Sequence, residues 1–402
     1  MAVTGLGLLT PAGIGVEANW SRLVSGRSCA TADAALRDGP VRMTCRVPGF
    51  DPDAEFGGFG ARQLDRFTQL AICAARAAVA DAGWDPRSWE PARVGVVLGN
   101  SLGGAATFAA QAEVLSAEGP HRVSPLLIPA YMVNMAAGEV AMDVGAHGPS
   151  QVVATACASG ATAVGAARDL LRSGACDIVL AGGCESALTP LVIAGLSRMR
   201  ALYRGDDDPE LAMRPFDADR DGFVAAEGAA VLVLERLADA RARRARVRAV
   251  VRGYGAASDA YHRTAPHPQG RGIEDALRAA LADAGLDGSE VDHVNAHGTS
   301  TKLNDVTEGQ VLARVLGDRA LVTSTKGVTG HALAAAGAME AAYTALALQQ
   351  QCVPPTANLT QLDKELAIDV VHGEARQARL EVAVSTSLGF GGHNAALVLT
   401  TY

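Results

Sequence analysis

Val152-Val153-Ala154-Thr155-Ala156-Cys157-Ala158-Ser159-Gly160 is an apolar run that stops at a cysteine and continues into small, helix-compatible residues. The β-branched pair at its start predicts a buried strand, and residues 158–171 predict a helix poor in bulky side chains that must pack closely. Cys157 would lie at the N-terminus of that helix, where unpaired N–H groups and the helix dipole favour a thiolate at neutral pH. A buried structural cysteine is the alternative reading of this segment.

Composition limits the classes of function open to the chain. Its 402 residues suffice for two domain-sized cores or for one large α/β unit built from two halves. The net charge of −8 argues against a nucleic-acid-binding or membrane-surface protein, both of which need a basic excess. The long apolar runs are interrupted by Arg or Glu, so we expect no membrane span. An acidic partner could still bind a local basic patch.

The cysteines and the first residues indicate the compartment. The first basic residue is Arg22, so the opening residues carry no positively charged segment and we expect no signal peptide. The seven cysteines are scattered and show no C-x-x-C spacing, which favours a reducing cytoplasm.

Two pairs of distant segments resemble each other. Residues 74–83 and 276–285 each predict a helix that ends in Ala-Asp-Ala-Gly and leads through an acidic loop into a strand. Strand, glycine loop and returning strand recur at 177–234 and 382–399. Chance similarity between Ala-rich segments is the alternative, but an internal duplication explains both pairs. Loops from equivalent strand ends should then meet between the halves, where α/β proteins tend to bind ligands.

Four glycine-flanked polar clusters occupy predicted loops. They are Cys157, residues 295–301 around His297, residues 324–331 with Lys326 and His331, and residues 389–394 around Phe390. We expect His331 to start a helix over 332–349, whose N-terminal field disfavours a protonated imidazole. Neutral imidazoles can donate to a developing oxyanion, and the glycines around Phe390 allow backbone N–H groups to do the same.

Other readings of these clusters are weaker. A metal site lacks H-E-x-x-H or closely spaced Cys and His ligands, and no carboxylate other than Asp292 is expected beside the histidines. A Cys-His protease would need one base beside the thiol and a groove for an extended peptide. Lys326 has Glu340, on the following helix, as its expected ion partner.

The motifs around these residues resemble a known family. Thr155-Ala156-Cys157-Ala158-Ser159-Gly160, Asn295-Ala296-His297-Gly298-Thr299-Ser300-Thr301, the segment 324–331 and Gly389-Phe390-Gly391-Gly392 closely resemble the β-ketoacyl-acyl-carrier-protein synthases, of the elongating (synthase II) branch. Residues 4–7 and 214–223 are also similar to that family, so the resemblance covers essentially the whole chain.

The resemblance implies an α/β thiolase fold, five layers αβαβα from two duplicated halves. The N-terminal half (1–245) would carry the nucleophile and the C-terminal half (246–402) the histidine loops, in one integrated catalytic unit. It implies that Cys157 accepts an acyl chain, that the N–H groups of Cys157 and Phe390 hold the oxyanion, and that His297 and His331 promote decarboxylation of a malonyl thioester. Lys326 and Glu340 would support the histidine loops, and Phe390 would gate the cysteine. Thr299 and Thr301 are expected to line the substrate pocket.

Departures from the family pattern suggest a specialised substrate. Lys302 stands where the fatty-acid enzymes usually have proline, and it resembles ketosynthases of aromatic and polyene polyketide systems. Residues 386–388 are Thr-Ser-Leu instead of Asn-Ser-Phe. Phe108 falls where relatives often line the acyl pocket with an aliphatic residue, so we expect it to shorten or reshape that pocket.

The resemblance also implies partners. We expect the protein to bind an acyl carrier protein. Because the carrier brings its own phosphopantetheine, we expect no resident cofactor or metal. We expect a homodimer, or a heterodimer with a chain-length-factor subunit. The expected basic residues at the carrier-docking surface are Arg62, Arg66, Arg198, Arg200 and Arg204. A non-catalytic chain-length partner, or a thiolase with a second catalytic cysteine, stays open as the alternative function.

Overall fold

The computed structural model describes residues 1–205 and 208–402, which form strands and helices in alternation. The strands are β1 (Ala2–Thr10), β2 (Gly13–Ile14), β3 (Thr31–Ala32), β4 (Met43–Thr44), β5 (Val94–Gly99), β6 (Ser150–Val153), β7 (Ile178–Glu185), β8 (Gly228–Glu235), β9 (Ala249–Ser258), β10 (His293–Asn295), β11 (Leu321–Thr323), β12 (Cys352–Val353), β13 (Asp369–Val370), β14 (Arg376–Gln377), β15 (Val382–Gly389) and β16 (His393–Thr400). The helices are α1 (Val16–Val24), α2 (Pro52–Ala61), α3 (Arg66–Asp81), α4 (Ala105–Glu118), α5 (Leu127–Tyr131), α6 (Met135–Val144), α7 (Ser159–Arg172), α8 (Pro190–Arg198), α9 (Pro209–Ala212), α10 (Leu237–Ala242), α11 (Arg271–Ala284), α12 (Lys302–Leu316), α13 (Lys326–Thr329) and α14 (Ala336–Gln350).

The main sheet repeats one strand order in two halves. The first half runs β1-β8-β7-β5-β6 and the second runs β9-β16-β15-β10-β11, with β13 at its end. In both halves the first three strands pair antiparallel and the rest pair parallel. The halves join where Ala2 and Val3 of β1 pair with Val250 and Ala249 of β9. The predicted internal duplication therefore appears directly in the topology.

Helices cover both faces of each half. Helices α3 and α6 pack on the outside of the first half, and α11 and α12 on the outside of the second. Helices α7 and α14 lie between the halves and contact strands of both. The order is outer helices, one half of the sheet, central helices, the other half of the sheet and outer helices, which is the five-layer arrangement that the family resemblance implies.

The two central helices touch through their backbones. A Cβ atom added to Gly160 on α7 would lie 2.6 Å from the backbone nitrogen of Ala338 on α14. One added to Gly337 on α14 would lie 2.7 Å from the backbone nitrogen of Ala161 on α7. The prediction that the small residues after Cys157 permit close packing is thus correct. This contact sets the spacing of the central layer.

The repeated aspartates have the same role in each half. Asp81, at the end of α3, accepts hydrogen bonds from the Leu6 N–H of β1 (2.8 Å) and from the buried Arg248. Asp283, near the end of α11, accepts from the Tyr254 N–H of β9 (3.0 Å) and from Arg168. Each carboxylate ties an outer helix to the strand at the junction of the halves. The sequence repeat around these residues therefore reflects a repeated contact.

Some boundaries differ from the predictions. The strand before Cys157 was predicted to be buried, but the side chains of β6 are exposed or half-buried. The reason is that β6 forms an edge of the sheet. The helix expected to start at His331 begins at Ala336, after a short 3-10 turn over residues 333–335. The division at residue 245 stays a prediction. Among residues 1–205 and 208–402, no helix is both long and apolar enough to cross a membrane.

The central contact predicts a difference between two glycine substitutions in helices. Gly160→Ala should lower the free energy of unfolding by about 1–3 kcal/mol, because the added methyl group must push α7 away from α14. Gly195→Ala, in α8, should leave it unchanged or raise it by up to about 1 kcal/mol, because its Cβ would meet no atom within 4 Å. Urea unfolding of both variants measures the difference, and equal effects would contradict the packing argument.

Candidate active site

Cys157 lies on a strained turn between β6 and α7. The preceding Ala156 has a positive φ of 50°, and residues 156–158 form a single 3-10 turn. Ser159 braces this turn, since its hydroxyl accepts from the Thr155 N–H (2.9 Å) and donates to the Ala156 carbonyl (2.6 Å). A non-glycine residue with positive φ persists only where its surroundings enforce it. The turn therefore holds the cysteine in one orientation.

Most of the predicted site residues line one cavity of about 420 Å³. The cysteine comes from the first half of the chain, and the two histidine loops and the glycine loop come from the second. The predicted residues at its wall are Cys157, His297, Thr299, Thr301, His331 and Phe390, together with Arg200 and Arg204 at the mouth. The expectation that these loops meet between the halves is thus met by the structure.

The two histidines form a close, buried pair. The ring centroids of His297 and His331 are 5.4 Å apart with the planes nearly perpendicular, and Phe223 packs edge-on against His331 at 4.9 Å. Burial and the nearby Lys326 ammonium hold the pKa of both imidazoles well below the usual range. His331 lowers the pKa of His297 further. Both rings are therefore neutral at physiological pH, as expected from the sequence.

A buried ion pair supports the His297 loop. Lys326 pairs with Glu340 of α14, and its ammonium also donates to the His297 carbonyl (2.6 Å) and lies 3.3 Å from His297 Nδ1. Burial raises the pKa of Glu340 above its usual range, although the Lys326 charge opposes this effect. Lys326 and Glu340 are each no more than 2% exposed. The predicted ion pair between Lys326 and Glu340 is thus present in the structure, and Lys326 also contacts His297.

The thiol of Cys157 is not the preformed thiolate that the sequence suggested. Burial raises its pKa to about 11, although the Lys326 charge and a hydrogen bond from the Phe390 N–H act in the opposite direction. The side chain is 7% exposed, so loss of solvation outweighs the field at the start of α7. The Phe390 N–H, predicted as an oxyanion donor, therefore already faces the sulfur.

The expectation of no carboxylate beside the histidines, apart from Asp292, is wrong. Glu308 of α12 is fully buried and accepts from the N–H groups of His297 and Gly298, both at 2.8 Å, and from the Thr386 hydroxyl at 2.7 Å. Burial raises its pKa. The signal for this residue was available, because Asn304, Asp305 and Glu308 share one face of a helix that follows the His297 motif. Thr386, noted only as a departure from the family, contributes one of the hydrogen bonds.

Several other predicted residues lie elsewhere. Phe108 does not line the cavity: it is 49% exposed on α4 and packs against the Tyr131 ring at 4.9 Å. Arg66 is not free to dock a partner, because it forms a bidentate pair with the buried Glu227. Arg62 and Arg198 are exposed but do not line the cavity. Lys302, noted for its departure from the family, lies at the wall of the cavity.

Metal-ligating side chains do not gather in the part of the chain that the structure describes. Within residues 1–205 and 208–402, no three His, Cys, Asp or Glu side chains are arranged to hold an ion.

Comparison with known proteins identifies relatives over the full length. The family profile "Beta-ketoacyl synthase, N-terminal domain" matches residues 1–240, and "Beta-ketoacyl synthase, C-terminal domain" matches residues 248–360. A 3-oxoacyl-(acyl-carrier-protein) synthase 2 from Rhizobium meliloti (strain 1021) is 41% identical over 418 residues, covering 100% of this chain and 99% of the relative.

Two solved structures have the same fold and are at least 30% identical in sequence to this chain. "The ishigamide ketosynthase/chain length factor" is 35% identical with a TM-score of 0.93, covering 100% of this chain and 98% of that one. The complex described as "type II PKS acyl-carrier protein in complex with its ketosynthase bound to the hexaketide" is 30% identical with a TM-score of 0.90, covering 100% and 98%. These matches confirm the predicted thiolase-type fold.

The contacts of Glu308 predict a graded loss of stability. Glu308→Gln should lower the free energy of unfolding by about 1–3 kcal/mol, because one carboxylate oxygen would be replaced by an NH2 group that cannot accept from the donor facing it. Thr386→Val removes a single hydroxyl donor and should cost about 1 kcal/mol. Glu113→Gln, on the exposed surface of α4, is the matched control. Urea unfolding of the three variants tests this order, and a Glu308 variant as stable as the control would contradict it.

Proposed function

The chain belongs to the β-ketoacyl synthase family, and from this membership we infer that it joins an acyl chain to malonyl-acyl-carrier protein by decarboxylative Claisen condensation. The protein is a condensing enzyme of the acyltransferase class, and it acts in the elongation steps of fatty-acid or polyketide synthesis. One observation carries this function. A single cavity holds a cysteine that follows a strained turn, two neutral imidazoles and a backbone N–H directed at the sulfur.

In the first half-reaction, we propose that Cys157 takes the acyl chain from a carrier thioester. The sulfur attacks the carbonyl carbon, and a neutral imidazole of the cavity accepts the thiol proton, which the high pKa of Cys157 makes necessary. The N–H groups of Cys157 and Phe390 stabilise the oxyanion. The carbon–sulfur bond to phosphopantetheine then breaks, and the carrier leaves as a free thiol after taking up the proton.

In the second half-reaction, His297 and His331 donate hydrogen bonds to the thioester oxygen of malonyl-carrier protein. The carbon–carbon bond to the malonyl carboxylate breaks, carbon dioxide leaves, and the electron pair forms an enolate. Its carbon attacks the acyl-Cys157 carbonyl, and the sulfur leaves as thiolate and takes up a proton from solvent. Neutral donors suit this step because charge develops on the oxygen only during the reaction. We propose that the enzyme needs no cofactor of its own, since the carrier protein supplies phosphopantetheine.

The alternative functions fit the site less well. A thiolase would need a second cysteine at the cavity, but Cys352 lies on β12 and is not among the lining residues. A non-catalytic chain-length partner has no use for the strained turn at Cys157 or for two buried neutral histidines. We therefore retain the condensing reaction as the function of this chain.

Of the two pathways that use this reaction, fatty-acid synthesis and polyketide synthesis, we propose that the protein acts in polyketide synthesis. Lys302 supports this choice, because a residue that departs from the fatty-acid enzymes lies at the cavity wall. The similar ishigamide structure is described as a ketosynthase with a chain length factor. We also propose a cytoplasmic location, supported by the seven cysteines, all of which are free.

An apolar face indicates where a related subunit binds. Strand β6 is an edge strand with unpaired backbone groups, and α4 and α5 present exposed apolar side chains. The exposed large apolar residues of these helices are Phe108, Leu115, Ile128 and Tyr131. We propose that this face, defined by β6, α4 and α5, pairs with a second copy or with a chain-length-factor subunit.

The condensing reaction predicts a covalent acyl-enzyme. Incubation with acyl-carrier protein should add the mass of one acyl group to Cys157, as seen by mass spectrometry of the peptide that contains it. The adduct should be absent from Cys157→Ala, because the nucleophile is missing. Cys352→Ala is the matched control and should acylate normally. Failure to find an adduct with any acyl donor would overturn the proposed function.

The proposed subunit face predicts a change of assembly. Ile128→Asp should convert a two-subunit complex into single chains, because a charge without a partner would be buried in the interface. Leu211→Asp, at an exposed apolar residue of α9, is the control and should leave the complex intact. Native mass spectrometry measures the assembly, and the subunit masses distinguish two identical chains from two different ones. A complex that survives Ile128→Asp would contradict the choice of face.

A further inference from the structure

A loop between β9 and α11 forms one wall of the cavity mouth. We call residues 259–269 the entrance loop. Thr264, Ala265 and Pro266 lie at the cavity wall, although their part of the loop contains no helix or strand. The shape of this wall therefore depends on side chains that fix the backbone.

His262 supplies such a fixed point. Its Nδ1 atom accepts hydrogen bonds from the backbone N–H groups of Thr264 and Ala265, both at 3.1 Å. A backbone amide can only donate, so Nδ1 must carry no proton in this arrangement. The imidazole thus acts as the acceptor of a tight turn, a role that Asn and Asp side chains usually fill.

Backbone hydrogen bonds link the entrance loop to the loop that contains Phe390. The carbonyl of Arg263, the next residue, accepts from the Gly391 N–H at 2.7 Å, and the Asp259 N–H donates to the Gly392 carbonyl at 2.9 Å. Gly391 directly follows Phe390, whose N–H faces the Cys157 sulfur. Only a few residues therefore separate the His262 acceptor from the proposed oxyanion donor.

We propose that His262 is a positioning residue whose neutral imidazole holds the entrance loop against the Phe390 loop, and that protonation of His262 releases this wall. The proposal rests on the condensing function for its effect on catalysis, but not for its effect on the loop. Histidine is the side chain whose charge ordinarily changes between about pH 5 and 8. Protonation at Nδ1 would replace two hydrogen bonds by a clash between three N–H donors.

Other ionisable groups adjoin His262, and each has its own contact. Tyr261 stacks obliquely with His262 and edge-on with His267, and the His267 N–H donates to Asp259. The Nδ1 atom of His267 accepts from the Gln269 N–H at 3.2 Å. Arg263 is the remaining charged residue of the entrance loop, and the charged or titratable residues of the adjoining α11 and the start of β16 are Arg271, Glu274, Asp275, Arg278, Asp283 and His393. Each of these groups stays in place in the variants below, so differences between the variants report on His262.

Hydrogen exchange tests the loop without any substrate. We compare the wild type with His262→Asn, which keeps an acceptor that cannot titrate, and with His262→Ala, which has none. Protection of the Thr264 and Ala265 amides should fall about tenfold in the wild type between pH 7.5 and 5.5, relative to His262→Asn at the same pH. His262→Ala should lack this protection at both values. Equal pH dependence in the wild type and His262→Asn would overturn the proposal, as would protected amides in His262→Ala.

Kinetics tests the consequence for catalysis. His262→Asn should rescue the kcat/KM that His262→Ala loses at pH 7.5, and it should retain more of that value than the wild type at pH 5.5. His121→Asn, at an exposed histidine outside the cavity, is the matched control and should follow the wild type. Parallel loss of kcat/KM in the wild type and His262→Asn would overturn the proposal. If no variant condenses any substrate while exchange behaves as expected, the proposed function fails and the role of His262 in the loop stands.

Discussion

The contact between α7 and α14 is the constraint on which the rest of the structure depends. Because Gly160 and Gly337 have no side chains, the two helices meet at backbone distance in the middle layer. Each helix belongs to a different half of the duplicated fold, and each follows a turn that carries a reactive side chain. Close packing of the helices therefore brings Cys157 and His331 to one cavity. A bulkier pair of helices would separate the nucleophile from its partners.

Burial then determines the electrostatic character of the site. Loss of solvation raises the pKa of the Cys157 thiol and lowers the pKa of His297 and His331, so that all three groups are neutral at rest. The charges of the reaction appear only when bonds break, and fixed donors are already in place to meet them. Lys326 contacts both the ring and the carbonyl of His297, and its pairing with Glu340 keeps it directed at the His297 loop.

The loops around the cavity are held by acceptors rather than by regular secondary structure. Glu308 binds the backbone of the His297 turn from below, and the His262 imidazole binds the backbone of the entrance loop from outside. The first acceptor is fully buried and shielded from water, whereas the second is exposed to solvent. The loop that carries His297 and the entrance loop thus differ in the exposure to water of the side chain that accepts their backbone hydrogen bonds.

The sequence by itself determined the duplication and the candidate reactive residues, because these depend on local patterns: helix and strand periodicity, small residues at 158–171, and glycine-flanked cysteine and histidine motifs. The layer order followed from the resemblance of those motifs to a known family. Only the tertiary structure decided the pKa of Cys157, since burial is set by surrounding segments rather than by its position at a helix start. Phe108 was placed in the pocket for the same reason, whereas Glu308 was missed although the polar face of α12 that carries it can be recognised in the sequence. Which side chains meet across the layers depends on packing, and local sequence does not encode it.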